Sequence, residues 1–533
     1  QLIQNKISEY DFLFFLENLD YSKLILFTSI VMVCFFLVKN IFLVFLMFVQ
    51  EKFYENIKVD LSLRLFSNYL YMPYLKHMKS NPEELSRNVT LNCGAMTIYL
   101  DHISRLIREI VAVFVILLLL IWVSPIAILG VFLFMASLVF FYLSKIKPKI
   151  DKKSTRNTQI VKENLKSINE VFGSIKDLKV LMKEGEIFNE FKKNISNFEK
   201  NVFFFHIFER LPRIAIELIS ILLLSIIAIF LIGSNQSYQY FLPILSLITV
   251  SVFRFIPAFL SINSAKYYIS LLTPNLINLS TSITSFKERN VKNNEVKNIN
   301  YPIFSKELEN KFISLKNVSF SYPGSDTSPL RRVTLDIEKN KIIGITGQTG
   351  AGKSTLFYIM LGLLEPTEGA VYNYGKNIHV DNQMWRKKLG YISQNIFLFD
   401  STIEKNITFD FSNEYTNKQK LKSVLEYAQL KEKIEKMPDG LQTIVGNNGI
   451  RLSGGERQRV AISRALYQDT EILFLDEFTS ALDNQTEKLV MNEIIKNFKD
   501  KTIILIAHRK SLLDYCDVIW ELESGQLRGV NKK

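Results

Sequence analysis

Residues 347–355 read GQTGAGKST and follow a short apolar segment, KIIGIT, at 341–346. This is the spacing G-x-x-x-x-G-K-[ST] of a phosphate-binding loop between a strand and a helix. Its three glycines let the backbone N–H groups turn towards phosphate oxygens, and the helix N-terminus adds its positive end. Lys353 would reach the β- and γ-phosphates, and Ser354 would offer its hydroxyl to Mg²⁺. The residues predicted to hold a nucleotide here are Gly347, Gln348, Thr349, Gly350, Ala351, Gly352, Lys353, Ser354 and Thr355.

A second motif places two carboxylates at the end of an apolar strand. Residues 472–477 read ILFLDE, which is typical of a buried parallel strand. Asp476 would hold Mg²⁺ through water, and Glu477 would orient or deprotonate an attacking water. Paired acids at the end of a strand can also cap a helix or lie in a solvated turn. The phosphate-binding loop upstream argues against these two alternatives. The two motifs together predict an ATP site with Mg²⁺.

Further motifs surround these two in a fixed order along the chain. They are SFSYPG with Tyr322, YISQNIFLF with Gln394, LSGGERQ at 452–458, SALD at 480–483 and His508 after IILIA. Taken together with the phosphate-binding loop, this set resembles the ATP-binding cassette (ABC) family over about 220 residues. Any one of them has an ordinary alternative, such as a core histidine, a surface amide or a strand-edge tyrosine. The complete set in this order favours the family.

The resemblance implies a role for each of these residues. Two cassettes would enclose two ATP molecules, with Gln394 ligating Mg²⁺ and sensing the membrane domain. His508 would hold the γ-phosphate, Asp483 would link the two sites across the dimer, and Tyr322 would stack on adenine. The residues that would cover the γ-phosphate bound to a second subunit are Ser453, Gly454 and Gly455. Because every catalytic position is intact, a homodimer is favoured; a different partner chain stays open.

Composition separates the chain into two unlike halves. It has 533 residues, 48% hydrophobic and 22% charged, with a net charge of +13 and three scattered cysteines. These values exclude a disordered chain, a disulfide-rich secreted protein and a zinc-finger regulator. A basic chain could bind nucleic acid, but basic membrane loops give the same total, and we expect no nucleic acid. We predict a transmembrane domain over 1–275, a linker over 276–310 and an α/β ABC ATPase domain over 311–533.

The first half contains runs of about 20 apolar residues, the length that spans a bilayer. Residues 145–200 hold 14 Lys or Arg and residues 51–108 hold eight, whereas the two short loops near 124–125 and 233–239 hold none. The excess of positive charge predicts that the long loops and the ATPase domain are cytoplasmic, in a cell (inner) membrane. The predicted spans are about 24–49, 103–123, 126–143, 214–232 and 240–262.

Five spans place residue 1 outside the cell, and no initiator Met precedes it. We therefore expect a six-span exporter bundle of which five spans are present here. Residues 5–19 combine helical apolar spacing with acidic residues, which favours an amphipathic helix on the outer membrane surface or an ordinary loop helix packed on the spans. The helical loops resemble the intracellular extensions of ABC exporters, and 61–71 and 174–185 resemble their short coupling helices.

Charged residues inside spans are costly and therefore indicate function. Lys39 in VKNIF, Arg213 in LPRIAIEL and Arg254 in VFRFIPA are basic. The alternatives are ion pairs, such as Arg213 with Glu217, or snorkelling towards the interface. These segments resemble the Pgl-type flippases, in which the matching positions are also basic. The resemblance implies an amphiphilic substrate, namely an undecaprenyl-pyrophosphate-linked glycan whose pyrophosphate pairs with this basic belt.

Other functions remain open from the sequence. A lipid, drug or peptide exporter of the same fold would be stimulated by amphiphiles rather than by lipid-linked sugars. A DNA-repair or chromosome ATPase also combines a phosphate-binding loop with an LSGG signature, but it would lack spans and carry a coiled coil inside its cassette. An ATP-gated channel or a regulatory subunit would not need to hydrolyse ATP. The intact Glu477 favours hydrolysis and therefore argues against both.

Overall fold

The chain is described by a computed structural model that covers residues 21–123, 144, 148, 167–168, 170–233, 238–294, 308–309, 311–325, 327–380, 382–410, 417–507 and 509–530. It divides into two compact units. The first comprises residues 1–71 and 80–294, and the second comprises residues 72–79 and 295–533. A short piece of the membrane half, 72–79, thus belongs to the unit that contains the phosphate-binding loop.

The first unit is helical throughout its described part. Its helices are α1 (Tyr21–Leu70), α3 (Pro82–Arg87), α4 (Cys93–Val123), α5 (Ile175–Leu181), α6 (Glu184–Gly233) and α7 (Tyr238–Asn294), with a π-helical turn at Asn88–Asn92. Helix α7 packs along α4 and α6. Among the described residues, the segment Ile25–Leu70 is long and apolar enough to cross a membrane. Large apolar side chains cover its outer surface, as expected for a surface that lipid would cover.

The predicted spans in the described part all fall inside longer helices. Those at 24–49, 103–123, 214–232 and 240–262 lie within α1, α4, α6 and α7. The predicted helical extensions are therefore present. The predicted span at 126–143 and the amphipathic helix at 5–19 lie outside the described residues.

The predicted linker is wrong in its first part, because α7 continues to Asn294. Polar composition suggested an irregular segment from residue 276. However, Leu276, Leu279 and Ile283 recur at helical spacing and pack with Leu65 and Tyr69 of α1 in one apolar cluster. Burial of this stripe stabilises the helix despite its polar outer face.

One of the two predicted coupling segments is also displaced. Residues 61–71 are the continuous last turns of α1, and the short helix is α2 (Tyr74–Lys79). Pro73 explains the shift, because the residue before a proline is disfavoured in helical conformation and α1 therefore ends at Leu70. The second predicted segment, 174–185, does contain a short helix, α5, which is followed by Met182 in the left-handed region, φ 54°.

The second unit contains two sheets. An antiparallel sheet has the order β2-β1-β4-β5, and a mainly parallel sheet has the order β10-β9-β3-β8-β7-β6. The strands are β1 (Ile313–Phe320), β2 (Leu330–Ile337), β3 (Ile342–Thr346), β4 (Glu368–Asn373), β5 (Lys376–Asn377), β6 (Leu389–Ile392), β7 (Ile472–Asp476), β8 (Thr502–Ile506), β9 (Val518–Glu523) and β10 (Gln526–Val530). The helices are α2 together with α8 (Lys353–Met360), α9 (Asn382–Arg386), α10 (Ile403–Thr408), α11 (Lys418–Tyr427), α12 (Lys431–Glu435), α13 (Gly454–Tyr467), α14 (Asn484–Asn497) and α15 (Lys510–Leu513).

The parallel strands form the centre of this unit. Every residue of β7 and β8 is buried, which accounts for their nearly unbroken apolar sequences. Strand β3 pairs in parallel with β8 and β9, so the ends of β3 and β7 meet at the same edge. The phosphate-binding loop follows β3 and the paired carboxylates end β7, and the topology therefore brings the two motifs together.

Candidate nucleotide site

The loop after β3 has the shape that its glycines predict. Gly347 has φ 146° and Gly352 has φ 103°, both in the left-handed region. A Cβ at Gly352 would lie 2.4 Å from the carbonyl oxygen of Pro329, and one at Gly347 would lie 2.3 Å from that of Leu522. Both positions therefore require glycine for conformation and for space. Helix α8 begins immediately at Lys353.

We expect Gly352→Ala to destabilise the ATPase unit more than Gly350→Ala does. Both glycines have positive φ, so alanine costs about 1 kcal/mol at either position. Only at Gly352 does the added Cβ also meet a backbone oxygen; the space at Gly350 is open. Thermal unfolding of the two full-length variants without nucleotide measures the difference. Equal unfolding midpoints would show that the contact with Pro329 is easily relieved.

A cleft of about 560 Å³ opens beside this loop. It brings together nine of the nucleotide-site residues predicted from sequence, and it adds two that were missed, Thr327 and Pro329. Both residues follow the SFSYPG segment. Their position in the loop after Tyr322 was the feature of the sequence that could have predicted them. The predicted residues that line the cleft are Tyr322, Thr349, Gly350, Gly352, Lys353, Ser354, Thr355, Gln394 and Glu477.

Lys353 is held inside its own loop. Only 7% of it is exposed, and its Nζ donates hydrogen bonds to the carbonyl oxygens of Gly347 and Gln348, both 2.9 Å away. Burial lowers the pKa of this ammonium group, while the nearby Glu477 and Asp476 carboxylates oppose the shift. A phosphate that entered the loop would offer charged oxygens in place of these carbonyls.

Glu477 and Gln394, predicted to act on water and on Mg²⁺ respectively, are in contact with each other. The Nε2 of Gln394 donates to the Oε2 of Glu477 over 2.7 Å. Glu477 has φ 45°, an unusual conformation for a residue with a side chain. Its backbone N–H donates to the carbonyl oxygen of Ile506 at 3.3 Å, which ties it to β8. The strained conformation turns the carboxylate of Glu477 into the cleft, while Asp476 stays buried.

Asp476 is 3% exposed at the end of β7. Burial, with a smaller contribution from the Glu477 carboxylate, raises its pKa to about 6, and Lys353 acts in the opposite direction. A buried carboxylate, a serine hydroxyl and an amide oxygen are the hard oxygen donors that Mg²⁺ prefers. The residues Asp476, Ser354 and Gln394 therefore fit this ion by their chemistry.

The affinity for Mg²⁺ should fall with acidity in a defined range. Asp476 is one of the predicted Mg²⁺ ligands, and burial raises its pKa to about 6. We therefore expect Mg²⁺-dependent ATP binding to weaken about tenfold for each pH unit below 6. Above that pH the ionised form costs folding stability, since the unfolded chain releases this proton at a lower pH. Titration of ATP binding against Mg²⁺ from pH 5 to 8 measures the effect. Glu477→Gln should move the transition to lower pH; an unmoved transition would contradict the assignment to Asp476.

Tyr322 lies at the rim of the cleft. Its ring is edge-on to Phe320, with centroids 4.9 Å apart, and its hydroxyl shares a hydrogen bond of 3.1 Å with Oγ1 of Thr355. The half-buried ring is thereby fixed beside the phosphate-binding loop. An aromatic face at this position can stack on a nucleotide base.

The signature residues do not line this cleft. Ser453 caps α13, and its side chain and that of Glu456 complete a reciprocal capping box. Asp483 caps α14 by accepting from the N–H groups of Gln485 and Thr486 at 3.0 and 2.9 Å. Gly454 and Gly455 form the first turn of α13. Ser453, Gly454 and Gly455 therefore lie at the start of α13, and a helix N-terminus is a place where backbone N–H groups can bind an anion.

Gln458 is a residue whose role the sequence analysis missed, although it belongs to the LSGGERQ motif. It is 2% exposed; its Nε2 donates to Oγ of Ser480 at 3.1 Å, and its Oε1 accepts from the N–H of Ala481 at 2.8 Å. Gln458 thereby joins α13 to the loop that follows Glu477.

His508 lies outside the described residues, but its neighbour is firmly held. The Nη1 of Arg509 lies 2.7 Å from Oε2 of Glu487, whose side chain is only 2% exposed. Ser511 donates to the other oxygen of Glu487 at 2.8 Å. The segment after β8 is therefore anchored to α14, next to Asp483.

The basic residues predicted to bind substrate differ in their surroundings. Arg254 lies 3.5 Å from Glu109 of α4, with 48% of the arginine and 19% of the glutamate side chain exposed. Lys39 is exposed and lies over the ring of Phe36, 4.9 Å from its centroid. Arg213 belongs to α6, and its side chain is outside the described part. The ion pair that the sequence left open for Arg254 is therefore present.

Comparison with known proteins agrees with this geometry. Residues 330–480 match the family described as ABC transporter, and residues 5–256 match the ABC transporter transmembrane region. A solved structure described as a bacterial Atm1-family ABC exporter with ATP bound is similar over 90% of this chain and 82% of its own, with a TM-score of 0.69 and 21% identity. The fold is thus that of an ABC exporter, a helical transmembrane domain followed by an α/β ABC ATPase domain in one half-transporter chain.

Two relatives in sequence match less than half of this chain. A multidrug resistance ABC transporter ATP-binding and permease protein of Lactococcus lactis is 37% identical over 231 residues, 43% of this chain and 38% of the relative. An ATP-dependent lipid A-core flippase of Pasteurella multocida is 37% identical over 219 residues, 41% of this chain and 37% of the relative. The matched segment thus spans less than two fifths of the length of these relatives.

Proposed function

We propose that the chain is one half of an ATP-driven exporter in the cell (inner) membrane, with its ATPase domain in the cytoplasm. The observation that carries the proposal is the cleft itself. Its lining joins the phosphate-binding loop, Ser354 and Gln394 of the cation-binding set, and the Glu477 carboxylate. The third member of that set, Asp476, is buried next to Glu477 at the end of β7. These are the parts that phosphoryl transfer to water requires.

The residues would divide the work of hydrolysis between them. Lys353 would exchange its bonds to the loop carbonyls for the β- and γ-phosphates, and Ser354, Gln394 and Asp476 would hold Mg²⁺. The ion neutralises charge on the phosphate oxygens when bound. The Glu477 carboxylate, which now accepts from Gln394, would accept a proton from the water that attacks the γ-phosphorus. The bond from that phosphorus to the bridging oxygen breaks, giving ADP and inorganic phosphate.

Two copies of the chain would be needed for a complete site. In one copy the described lining of the cleft lacks Ser453, Gly454 and Gly455, which lie at the start of a separate helix, α13. A second chain would bring them to the γ-phosphate, and Asp483 would then lie between the two sites. We propose a homodimer, because the described nucleotide-site residues of this chain are suited to turnover.

For the substrate we propose an amphiphile with an anionic head group, specifically an undecaprenyl-pyrophosphate-linked glycan. The support is the basic set of Lys39, Arg213 and Arg254 in helices of the membrane domain. Lys39 has no carboxylate partner among the described residues. Glu109 holds Arg254 in place and reduces the net charge there, so Lys39 should contribute most to anion binding.

The test is transport in liposomes of the full-length protein. ATP-dependent movement of a fluorescent lipid-linked oligosaccharide should fall at least tenfold in a Lys39→Ala, Arg213→Ala, Arg254→Ala triple variant. Lys52→Ala is the matched control, because Lys52 pairs with Glu55 on the exposed surface of α1. Undiminished movement in the triple variant would show that these three basic residues do not bind the substrate. ATPase activity without any movement would keep the exporter and discard this substrate.

The main alternative substrate is a drug or a simple lipid. It is favoured by the Arg254–Glu109 ion pair, which leaves less positive charge for an anion. Stimulation of ATPase activity by amphiphiles of either charge, with none by lipid-linked sugars, would select this alternative.

A further inference from the structure

A second, smaller cavity of about 280 Å³ lies at the antiparallel sheet of the second unit. Residues of β1, β2, β10 and the start of β4 contribute to its walls. Its described lining is polar throughout: two arginines, Arg331 and Arg332, one carboxylate, Glu368, and otherwise hydroxyl and amide groups. Because no apolar side chain lines it among the described residues, the cavity suits a small hydrophilic ligand rather than a nucleotide base or an acyl chain.

The two arginines share this cavity because of an irregularity in β2. Consecutive residues of a strand normally point to opposite faces of the sheet. Between two regular pairs, however, the single residue Ser319 of β1 stands opposite both Arg331 and Arg332, which is the two-to-one arrangement of a β-bulge. Arg332 has φ 49°, in the left-handed region, and both arginines are exposed. The bulge therefore places two neighbouring guanidinium groups in one cavity instead of on opposite faces.

This backbone conformation is unfavourable for arginine. A side chain in the left-handed region crowds its own backbone, and glycine is the usual residue there. The bulge is held by main-chain donors: the N–H of Arg332 donates to Oγ of Ser319 at 3.0 Å, and that of Arg331 donates to the carbonyl oxygen of Gly525 at 2.8 Å. Glycine at 332 would keep both bonds without strain, so the fold does not require arginine here. Strain of this kind is concentrated at functional sites.

The cavity contains hydrogen-bond donors that the fold leaves unused. Within the described part of the chain, the guanidinium groups of Arg331 and Arg332 have no ion-pair or hydrogen-bond partner. The hydroxyl of Ser319 accepts from Arg332 and donates to no described residue, so its proton is available. The side-chain amide of Gln526 is likewise unbonded among these residues. Two cations and several neutral donors around one small space are the chemistry that binds an oxyanion.

The same segment of chain lines this cavity and the nucleotide cleft. Ser321 lines the cavity, whereas the next residue, Tyr322, lines the cleft. Ser328 lines the cavity, whereas its neighbours Thr327 and Pro329 line the cleft. The hydroxyl of Ser328 also lies within hydrogen-bond distance, 2.8–2.9 Å, of main-chain carbonyl oxygens at the end of β1 and the start of β2. A ligand in the second cavity would therefore restrain the segment that forms the rim of the cleft.

We propose that this cavity binds a small free oxyanion of the phosphate type, and that the bound anion strengthens ATP binding in the neighbouring cleft. Arg331 and Arg332 would form the charge-assisted bonds, with Ser319 and Gln526 as neutral donors. The anion would tie β1 to β2 and order Tyr322 before ATP arrives, which removes part of the ordering cost of ATP binding. The effect is reciprocal. The anion site rests on the geometry above, and its effect on ATP rests on the proposed nucleotide site.

Calorimetric titration of inorganic phosphate into the full-length Lys353→Ala protein tests the site, because this variant removes the cation of the nucleotide cleft. An added Arg331→Ala, Arg332→Ala pair should weaken phosphate binding about tenfold or more, since charge-assisted bonds are lost. Glu368→Gln should strengthen it about threefold, since it removes the opposing charge. In the unchanged chain, saturating ADP fills the cleft and should give the same phosphate affinity. Undiminished affinity in the double arginine variant would overturn the proposal.

Arg332→Gly separates binding from folding. It relieves the left-handed conformation, so the thermal unfolding midpoint should not fall, while phosphate affinity should fall about threefold or more. Arg528→Ala is the matched control, because Arg528 pairs with Glu523 on the neighbouring surface and is not part of the described lining; its phosphate affinity should be unchanged. A lower midpoint with undiminished phosphate affinity in Arg332→Gly would show that the arginine serves only the fold, and would overturn the proposal.

Equilibrium binding of ATP in a Glu477→Gln background, which slows hydrolysis, measures the link between the two sites. Phosphate also competes for the cleft, but it does so equally in the chain with and without the double arginine substitution. Replacing chloride by saturating phosphate should therefore raise the ratio of the two ATP affinities about twofold or more in favour of the intact arginines. An unchanged ratio would overturn the link. Absence of ATP binding would contradict the proposed nucleotide site and would leave phosphate binding in the second cavity intact.

Discussion

Glu477→Gln should lower ATP hydrolysis by about 10²–10⁴-fold and leave ATP binding intact. The substitution removes the only group that can accept a proton from water among the described residues lining the cleft. A glutamine carbonyl can still accept the hydrogen bond that Gln394 now donates to Oε2, so the geometry should persist. The loss is therefore expected in the rate constant of hydrolysis rather than in affinity.

Phosphate release by the purified full-length protein, together with equilibrium binding of ATP, separates these two effects. Glu471→Gln is a matched control, because Glu471 precedes β7 and its half-exposed side chain lies 3.6 Å from Lys388. The control should retain full activity. If Glu477→Gln kept more than a tenth of the hydrolysis rate, another group would have to activate the water.

The second large effect concerns stability. Arg509→Ala should lower the free energy of unfolding of the ATPase domain by about 3 kcal/mol. The substitution leaves the Glu487 carboxylate, 2% exposed, without its cation, and the hydroxyl of Ser511 then remains to donate to it. An unpaired buried charge is costly, because neither water nor a counter-ion replaces the lost partner.

Calorimetry of the full-length protein measures this loss as a fall of roughly 6–12 °C in the transition that ATP raises. Arg528→Ala is the matched control, since Arg528 pairs with Glu523 at 2.9 Å with 71% and 58% of the two side chains exposed. Such a surface pair contributes about 0–1 kcal/mol. Equal shifts in the two variants would show that Glu487 becomes protonated or hydrated at little cost.

Local chemistry made the nucleotide site predictable. The strands at 341–346 and 472–477, the glycines of the loop and the start of α8 at Lys353 all follow from short-range rules of conformation, and the structure has them. Parallel pairing through β8 then brings Gly347 and Asp476 to one edge. The conformation of a motif whose residues determine the local backbone geometry can be predicted from sequence without the tertiary structure.

Features that depend on tertiary packing were not predictable. The hydrogen bond between Gln394 and Glu477 joins residues 83 positions apart, and the sequence assigned each a separate role. Polar composition predicts a linker over 276–310, whereas in residues 276–294 the contact with Leu65 and Tyr69 decides the conformation. The end of α1 at Leu70 is different, because it follows from the local effect of Pro73, a signal in the sequence that the predicted coupling segment at 61–71 did not use.

Helix α2 has a consequence for how the ATPase domain can be separated from the rest of the protein. Residues 72–79 belong to the same compact unit as residues 295–533, so the structural boundary does not coincide with a single cut in the sequence. An ATPase fragment that begins near residue 311 would lack Tyr74 and Leu75. It would therefore expose the apolar surface that these residues cover beside Tyr358. We expect such a fragment to aggregate, and a peptide containing residues 72–79, supplied in trans, to restore its solubility.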